Sequence, residues 1–340
     1  MNCNIVYIGF SFLHHKNTHA GYDKIKNFFP YDKVFDVQKF HEAHVAPKSL
    51  IGKVTRRITK FFLNFDGIPW FLISCIKYGR RNPNTIFHFV YGENLYADIK
   101  CFLNPNNKIV CTFHQPFDWF VAHPRFINSL RKLDAIILVG NAEIDKFSAL
   151  TGKKNVFYIP HGVCTDFYKP EPSIKKEHMI LTVGNWLRDY NFANRVYQEL
   201  LDADPELQIN IVASFLNKKS ITPHPRIHFY NGISDDELKA LYCRCSVLYL
   251  PLIRFTANNA LLEAAATGCN IVISSDFADN SYIPENYITI VRMNVEETVK
   301  QIRKSYSENY NHALSEFVEE HYSWKKIAKQ TLDILRKIDK

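Results

Sequence analysis

The sequence contains 340 residues, a length that predicts about two domains and a core large enough to surround a deep ligand cleft. Hydrophobic residues make up 46% and charged residues 22%, with a net charge of +8, which excludes a disordered or fibrous chain. The longest apolar run, Ile68 to Ile76, is too short to span a membrane and the N-terminus lacks a basic signal-peptide head, so we expect a cytoplasmic protein.

Short apolar segments alternate with helix-length segments in two blocks. The first block of predicted strands is Asn4–Gly9, Thr85–Val90, Lys108–Phe113 and Ala135–Val139. The second is Met179–Val183, Gln208–Val212, Arg226–Tyr230, Ser246–Leu250 and Asn270–Ser274. Strands that are apolar throughout and separated by helices are typical of parallel sheets covered on both faces, so each block predicts a doubly wound α/β domain. The polar, proline-bearing segment 169–177 predicts a hinge between residues 1–170 and 171–320.

A histidine-rich loop precedes Gly21, at which we expect the first helix to begin. A glycine there lets a bound group approach the backbone closely. Among His14, His15, Lys16 and His19, we favour His19 as a contact to a bound substrate or phosphate group. An ordinary surface loop is the alternative.

Residues 48–81 interleave basic and large apolar side chains. The basic ones are Lys48, Lys53, Arg56, Arg57, Lys60, Lys77, Arg80 and Arg81, and the apolar ones include Phe61, Phe62, Phe65, Trp70 and Phe71. This pattern suits a helical segment on an anionic membrane surface, here the inner face of the membrane. An ordinary solvated helix face is the alternative. Nucleic-acid binding is disfavoured because no recognised nucleic-acid module accompanies the stretch.

His114 directly follows the predicted strand Lys108–Phe113, the position at which open α/β sheets place ligand-binding groups. The alternative is a hydrogen-bonded turn residue. No metal site is expected, because no histidine pair with HxxxH or HExxH spacing lies on a helix-like segment and the Asp202-Ala-Asp204 triplet precedes a proline in what looks like a turn. Eight cysteines without a CxxC motif predict buried free thiols, and glycine-rich dinucleotide or Walker loops are absent.

The segment Phe255–Asp276 combines a helix start, one carboxylate and a short strand. Thr256 is predicted to cap the helix. The first amides would then point at a bound phosphate, and they belong to Ala257, Asn258 and Asn259. Glu263 lies about two turns further along on the same side, where a carboxylate accepts two hydrogen bonds from a vicinal diol such as a ribose. An ordinary amphipathic helix closed by Gly268 is the alternative.

The sequence of residues 261–268, LLEAAATG, resembles the nucleotide-sugar helix of retaining GT-B glycosyltransferases of the family-4 type. Three further segments resemble that family in the same order. They are the exit from the first domain at 161–170, the loop opening the donor domain at 183–189 and the closing helix at 321–326. The resemblance implies two Rossmann-like domains facing across a cleft, an acceptor-binding domain (1–170), a nucleotide-sugar-binding domain (171–320) and a C-terminal helix (321–340) that packs back on the first domain.

The resemblance also implies roles for individual residues. Gly162, Gly184 and Asn185 would belong to the donor site. Arg188 and the amides near Asn258 and Asn259 would stabilise the departing diphosphate. His114 would lie near the reacting sugar. The leaving phosphate would itself take the acceptor proton, so no strong base would be needed. No cofactor and no metal are expected, because the sequence has no credible carboxylate pair at a strand end.

Two positions depart from the family pattern. Phe255 stands eight positions before Glu263, where relatives carry the first of two paired acids, and Asn185 stands where many relatives carry a phosphate-binding arginine. The diphosphate would therefore depend on Arg188 and the helix amides. We predict a retaining glycosyltransferase that moves a sugar from a nucleotide-diphosphate sugar to a glycan or lipid-linked acceptor in cell-surface polysaccharide assembly. The alternatives are a nucleotide-sugar epimerase of the same fold and a non-catalytic nucleotide-sugar-binding protein.

Overall fold

The computed structural model describes residues 3–12, 15, 18–39, 69–96, 98–254, 258–277, 282–307 and 309–339. The chain divides into two compact units. The first contains Met1–Lys16, Gly21–Pro160 and Ile327–Lys340, and the second contains Asn17–Ala20 and His161–Lys326. The main division along the chain lies between residues 160 and 161, whereas the sequence predicts a division after residue 170.

The first unit is built on a six-stranded sheet with the order β2-β1-β3-β4-β5-β6, and each pair of neighbouring strands is parallel. The strands are β1 (Asn4–Gly9), β2 (Lys33–Asp36), β3 (Thr85–Phe89), β4 (Lys108–Phe113), β5 (Ala135–Leu138) and β6 (Val156–Tyr158). The four inner strands are almost wholly buried, because helices cover both faces of a parallel sheet. These four are the strands that the sequence predicts.

Helices connect the strands of the first unit. They are α1 (Pro69–Arg81), α2 (Gly92–Leu95), α3 (Phe117–Val121), α4 (Arg125–Lys132) and α5 (Ile144–Thr151), with 3₁₀ turns at Tyr22–Asn27 and Lys100–Phe102. The first turn of this kind begins directly after Gly21, as the sequence predicts for the first helix. Of the basic aromatic stretch, residues 48–68 lie outside the described part of the chain.

The second unit repeats the architecture with a six-stranded sheet in the order β12-β11-β10-β7-β8-β9. Its strands are β7 (Glu177–Val183), β8 (Gln208–Val212), β9 (Ile227–Tyr230), β10 (Cys245–Pro251), β11 (Asn270–Ser274) and β12 (Thr289–Val291), again parallel to their neighbours. Its helices are α6 (Tyr190–Ala203), α7 (Phe215–Lys218), α8 (Asp235–Arg244), α9 (Asn259–Ala266), α10 (Val295–Lys304) and α11 (His312–Tyr322). The predicted pair of doubly wound parallel sheets is confirmed.

The last helix, α12 (Trp324–Asp339), begins in the second unit and belongs to the first from Ile327 onward. Within the first unit, the Lys108 ammonium donates a hydrogen bond to the carbonyl of Ile338. The C-terminal helix thus returns to the first unit, as the resemblance implies. No helix in the described part of the chain is long and apolar enough to cross a membrane.

The predicted hinge segment 169–177 is fixed to the second unit. The Tyr310 hydroxyl donates to the carbonyls of Glu171 at 2.7 Å and Ile174 at 2.8 Å, and the Glu171 carboxylate pairs with Lys239. The ammonium of Lys176 lies 4.4 Å from the centre of the Tyr310 ring. These contacts explain why the unit boundary lies upstream of this segment.

Candidate functional site

The loop that follows β7 brings a glycine and an arginine together. Gly184 has a φ of +109°, a conformation that side chains disfavour, and a Cβ there would lie 2.8 Å from Nη2 of Arg188. Arg188 donates from Nε to the Val183 carbonyl at 3.2 Å and from Nη1 to the Trp186 carbonyl at 2.8 Å. The guanidinium is therefore held inside its own loop, and burial lowers its pKa without removing its charge.

The helix α9 follows β10, the strand that pairs with β7, and Asn258 caps it. The Asn258 Oδ1 accepts a hydrogen bond from the Leu261 amide at 3.2 Å and another from Nη2 of Arg188 at 3.0 Å. The predicted cap at Thr256 is wrong, because α9 starts at Asn259 and an asparagine side chain already fills the capping position. Ala257, together with residues 255 and 256, lies outside the described residues.

Asn258 is 4% exposed, and its Nδ2 has no hydrogen-bond partner among the described residues. Buried amide donors are rarely left unpaired, because desolvation without a replacement bond is costly. The amides of Asn259 and Ala260 in the first turn have no intrahelical acceptor. The Arg188 charge, the helix dipole and these donors therefore converge at one point of the second unit.

Glu263 lies on α9 and is only 4% exposed. Its Oε2 accepts a hydrogen bond from the Tyr242 hydroxyl at 3.0 Å. Burial raises the pKa of Glu263 to about 7, with a further increase from Asp235 and an opposing decrease from the Tyr242 hydrogen bond. The carboxyl thus titrates near neutral pH.

The Asn185 side chain contacts the loop after β8. Its Oδ1 accepts hydrogen bonds from the Ser214 amide at 2.6 Å and from Nδ2 of Asn217 at 2.8 Å. Asn185 therefore links the loop after β7 to the loop after β8.

His19 belongs to the second unit, through contacts with two of its residues. Its Nδ1 lies 2.8 Å from the Asp235 carboxylate, and its ring stacks on Phe167 with 3.7 Å between the ring centres. The His19 side chain is 41% exposed, so one edge of the ring remains available to a ligand. Gly21 has a φ of +99°, and a Cβ there would lie 2.6 Å from Nδ1 of His15, so a larger residue would distort this loop.

Gly162 has a packing role. A Cβ at Gly162 would lie 2.5 Å from the Trp324 ring, which is buried at the start of α12. Val163 donates its amide to the Tyr322 carbonyl at 2.8 Å beside this contact. Two of the segments that resemble the family, the exit at 161–170 and the closing helix at 321–326, are thereby joined.

In the first unit, His114 follows β4 and lies beside Glu93, which follows β3 at the start of α2. Nδ1 of His114 is 3.2 Å from Oε1 of Glu93, and the two side chains are 13% and 3% exposed. Sequence reasoning missed Glu93, although it follows a predicted strand at the carboxyl edge of the sheet, as His114 does. That shared position was the available signal.

No group of three or more His, Cys, Asp or Glu side chains within the described ranges is arranged to hold a metal ion. Asp204 accepts hydrogen bonds from the Glu206 amide at 3.2 Å and from Nε2 of His178 at 2.7 Å, as in a turn that follows a helix. The buried cysteines are Cys75, Cys111, Cys243, Cys245 and Cys269, whereas Cys101 is exposed.

Solved structures share this architecture at low sequence identity. HepE of Anabaena, solved in complex with UDP and glucose, matches with a TM-score of 0.71 and 12% identity over 98% of this chain and 100% of its own. Sucrose-phosphate synthase from Thermosynechococcus elongatus matches with a TM-score of 0.66 and 14% identity over 98% of this chain and 99% of its own. TarM matches with a TM-score of 0.61 and 12% identity over 78% of this chain. The match covers only 58% of the length of TarM. The chain has the GT-B fold. No protein-family model and no curated protein matches the sequence.

The predicted site residues of this GT-B chain fall into separate clusters. Gly184, Arg188 and Asn258 meet at the start of α9. His19 and Glu263 are linked through Asp235, which pairs with His19 and raises the pKa of Glu263. The cluster around His114 belongs to the first unit. Asn185 and Gly162 make their described contacts elsewhere.

Proposed function

We propose that this chain is a retaining glycosyltransferase that takes a sugar from a nucleotide-diphosphate sugar. The observation that carries the proposal is the contact of the Arg188 guanidinium with Asn258 at the start of α9, 3.0 Å between Nη2 and Oδ1. A fixed cation, a helix N-terminus and a buried unpaired amide donor together favour a bound phosphate group. The carboxyl ends of parallel strands are also where ligands of such folds bind.

The Glu263 carboxyl supports a nucleoside next to that phosphate. It lies on the helix whose first turn would bind the diphosphate, and it can accept hydrogen bonds from the two ribose hydroxyls. HepE was solved with UDP and with UDP-glucose, so uridine diphosphate sugars are the first donors to test. His19 is proposed to contact donor phosphates or acceptor through its exposed ring edge.

The acceptor is proposed to bind the first unit near His114. A TarM variant was solved with UDP and alpha-GlcNAc-glycerol, so a hydroxyl-bearing glycan or lipid-linked acceptor of a cell-surface polysaccharide is the corresponding proposal here. Residues 48–81 would hold the enzyme at the cytoplasmic face of the membrane, through a stretch that lies partly outside the described residues.

The proposed chemistry needs only groups of this chain and the substrates. Arg188 and the amides of α9 would stabilise charge on the departing diphosphate, and a donor of this kind contributes roughly 10²–10³-fold to a rate. The leaving phosphate would take the acceptor proton. We propose that no metal ion and no other cofactor takes part.

The test is release of free UDP from UDP-glucose and UDP-N-acetylglucosamine, with and without a panel of glycan acceptors. A thermal-shift panel of UDP, GDP, CDP and ADP sugars would first select the donor, since ligand at about 100 times its Kd stabilises a fold by roughly 2.7 kcal/mol. A transferase releases UDP only or mainly with acceptor. An epimerase changes the sugar with no acceptor, and a binding protein shifts thermally without turnover, and either result would contradict the proposal.

A further inference from the structure

The strands β3 and β4 are parallel neighbours, with Phe89 opposite Cys111, so the residues that follow them lie side by side. Glu93 follows the first of these strands and His114 follows the second. Nδ1 of His114 lies 3.2 Å from Oε1 of Glu93, and both side chains are largely shielded from water. The sequence predicts His114 as a site residue but does not predict its pairing with Glu93.

The backbone beside Glu93 is fixed by close packing. A Cβ on Gly92 would lie 2.5 Å from Cε1 of Phe113 and 2.8 Å from Cβ of Cys111, so only glycine fits between α2 and β4. That contact sets where the Glu93 side chain starts. The carboxylate is therefore held in place by the sheet rather than by a mobile loop.

Only one of the two carboxylate oxygens of Glu93 has a described hydrogen-bond partner, which is His114. His88, the other buried histidine at this edge, is held neutral, because burial and the nearby His114 lower its pKa to about 3. It is engaged with the Thr112 and Tyr31 hydroxyls at 2.8 Å each. Oε2 of Glu93 is buried and has no hydrogen-bond partner among the described residues. A buried carboxylate oxygen without a donor is costly, so a donor supplied by a ligand is expected.

We infer that Glu93 both orients His114 and binds a hydroxyl of the acceptor. Its Oε1 accepts the Nδ1–H of His114, which makes Nε2 the hydrogen-bond-accepting nitrogen of the neutral ring. Its Oε2 accepts a hydrogen bond from a hydroxyl of the acceptor. The identity of the ligand as a hydroxyl-bearing acceptor rests on the proposed function, whereas the pairing of Glu93 with His114 does not.

The chemistry of the pair favours a hydroxyl-bearing ligand. The rings of Tyr22 and Tyr91 each lie 4.8 Å from the His114 ring, measured between centres, and are 0% and 4% exposed, so they pack against His114 and fix its ring. A carboxylate oxygen accepts a hydrogen bond from a hydroxyl, and a neutral imidazole nitrogen can do the same. A metal ion is a poorer occupant, because the described residues hold no cluster of three ligating side chains.

The kinetic test compares Glu93→Gln with Glu93→Asp in the full chain. Glu93→Gln keeps the shape but removes the charge, so kcat with saturating acceptor should fall on the order of 10²-fold while donor Kd stays within about twofold. The acceptor KM should rise, and Glu93→Asp should recover part of the loss. Glu143→Gln is the matched control, since Glu143 lies in the same unit and its carboxylate accepts a backbone hydrogen bond from Phe117 at 2.9 Å. Unchanged kcat and acceptor KM in Glu93→Gln would overturn the inference.

Nitrogen NMR of the His114 ring gives a readout that needs no substrate. The wild type should show Nδ1 protonated and Nε2 unprotonated, and Glu93→Gln should lose this preference. Titration with methyl α-glucoside should shift the His114 signals of the wild type much more than those of Glu93→Gln. If the glucoside does so while no sugar is transferred, the proposed function fails and the inference stands. The same tautomer in both proteins would contradict the pairing.

Discussion

Replacing Glu263 by glutamine tests its place in the donor site, because burial raises the pKa of this carboxyl to about 7 and glutamine cannot titrate. Glu263 is 4% exposed, and its pKa is raised from 4.5 to about 7, mainly by burial. The folded protein therefore holds a proton that the unfolded chain releases between these two values. The free energy of unfolding should fall as pH rises through this window and level off above about pH 7, because the unfolded state binds fewer protons there.

The size of the effect follows from the same two values. A pKa raised from 4.5 to about 7 corresponds to roughly 3 kcal/mol of preference for the protonated form in the folded state. Glu263→Gln cannot titrate, so it should be more stable than the wild type at pH 8 by a large part of this amount and similar to it at pH 5. Chemical denaturation at both pH values measures the difference, with Glu199→Gln, an exposed glutamate of the same unit, as control.

Donor binding should show the opposite dependence on pH. Ribose hydroxyls donate best to the ionised carboxylate, so the affinity for UDP-glucose should fall as pH drops below about 7, approaching tenfold per pH unit. UDP-glucose suits this assay because its phosphates do not titrate between pH 5 and 8. Calorimetry that finds equal affinity at pH 5.5 and pH 8, together with unchanged binding by Glu263→Gln, would refute the assignment of Glu263 to the ribose.

Other perturbations separate binding from chemistry. His114→Ala should leave donor affinity within a few-fold but lower kcat by roughly 10²–10⁴-fold, as for a group that acts at the reacting centre, and wild-type turnover would reduce His114 to a turn residue. EDTA should leave turnover unchanged, whereas loss of activity with EDTA and recovery with Mg²⁺ would show that the reaction needs a metal ion. Binding to anionic vesicles should weaken with salt and after replacement of Arg56, Arg57 and Lys60 by serine, since each cation near such a surface contributes about 1 kcal/mol. Sedimentation unaffected by salt and by these replacements would favour the solvated helix face.

The fold could be predicted where burial dictates the residues. The inner strands β1, β3, β4 and β5 are apolar because helices cover both faces, and that signal is local. The edge strands β2 and β6 are short and partly exposed, so their sequences lack the continuous apolar run that marks a buried strand. Their place in the sheet is set by pairing with β1 and β5.

The sequence indicated which residues could belong to the site, but it did not indicate which of them contact one another. Asn258 and Thr256 are both good capping residues, and only the position of the first helical turn decides that Asn258 fills the cap. The bond from Arg188 to Asn258 joins residues 70 positions apart, beyond any local pattern. Glu93 is a similar case, because its contact with His114 depends on the pairing of β3 with β4 and not on its own local sequence.

The segment predicted as a hinge makes contacts that its composition does not reveal. A polar segment with two prolines is typical of a linker, yet the Tyr310 hydroxyl and Lys239 bind its backbone and its carboxylate. Those partners lie far along the chain and leave no trace in the composition of the segment itself.

Calorimetry of UDP-glucose binding to the wild type, Arg188→Ala and Arg188→Lys tests the central claim most directly, with the exposed Arg195→Ala as control. A charged hydrogen bond contributes about 1.5–3 kcal/mol, so Arg188→Ala should weaken binding roughly 10- to 150-fold. Arg188→Lys should fall between, because it keeps the charge but loses the planar fork, and Arg195→Ala should bind like the wild type. Equal affinity of Arg188→Ala and the wild type, with the variant folded, would contradict a diphosphate site at Arg188 and Asn258.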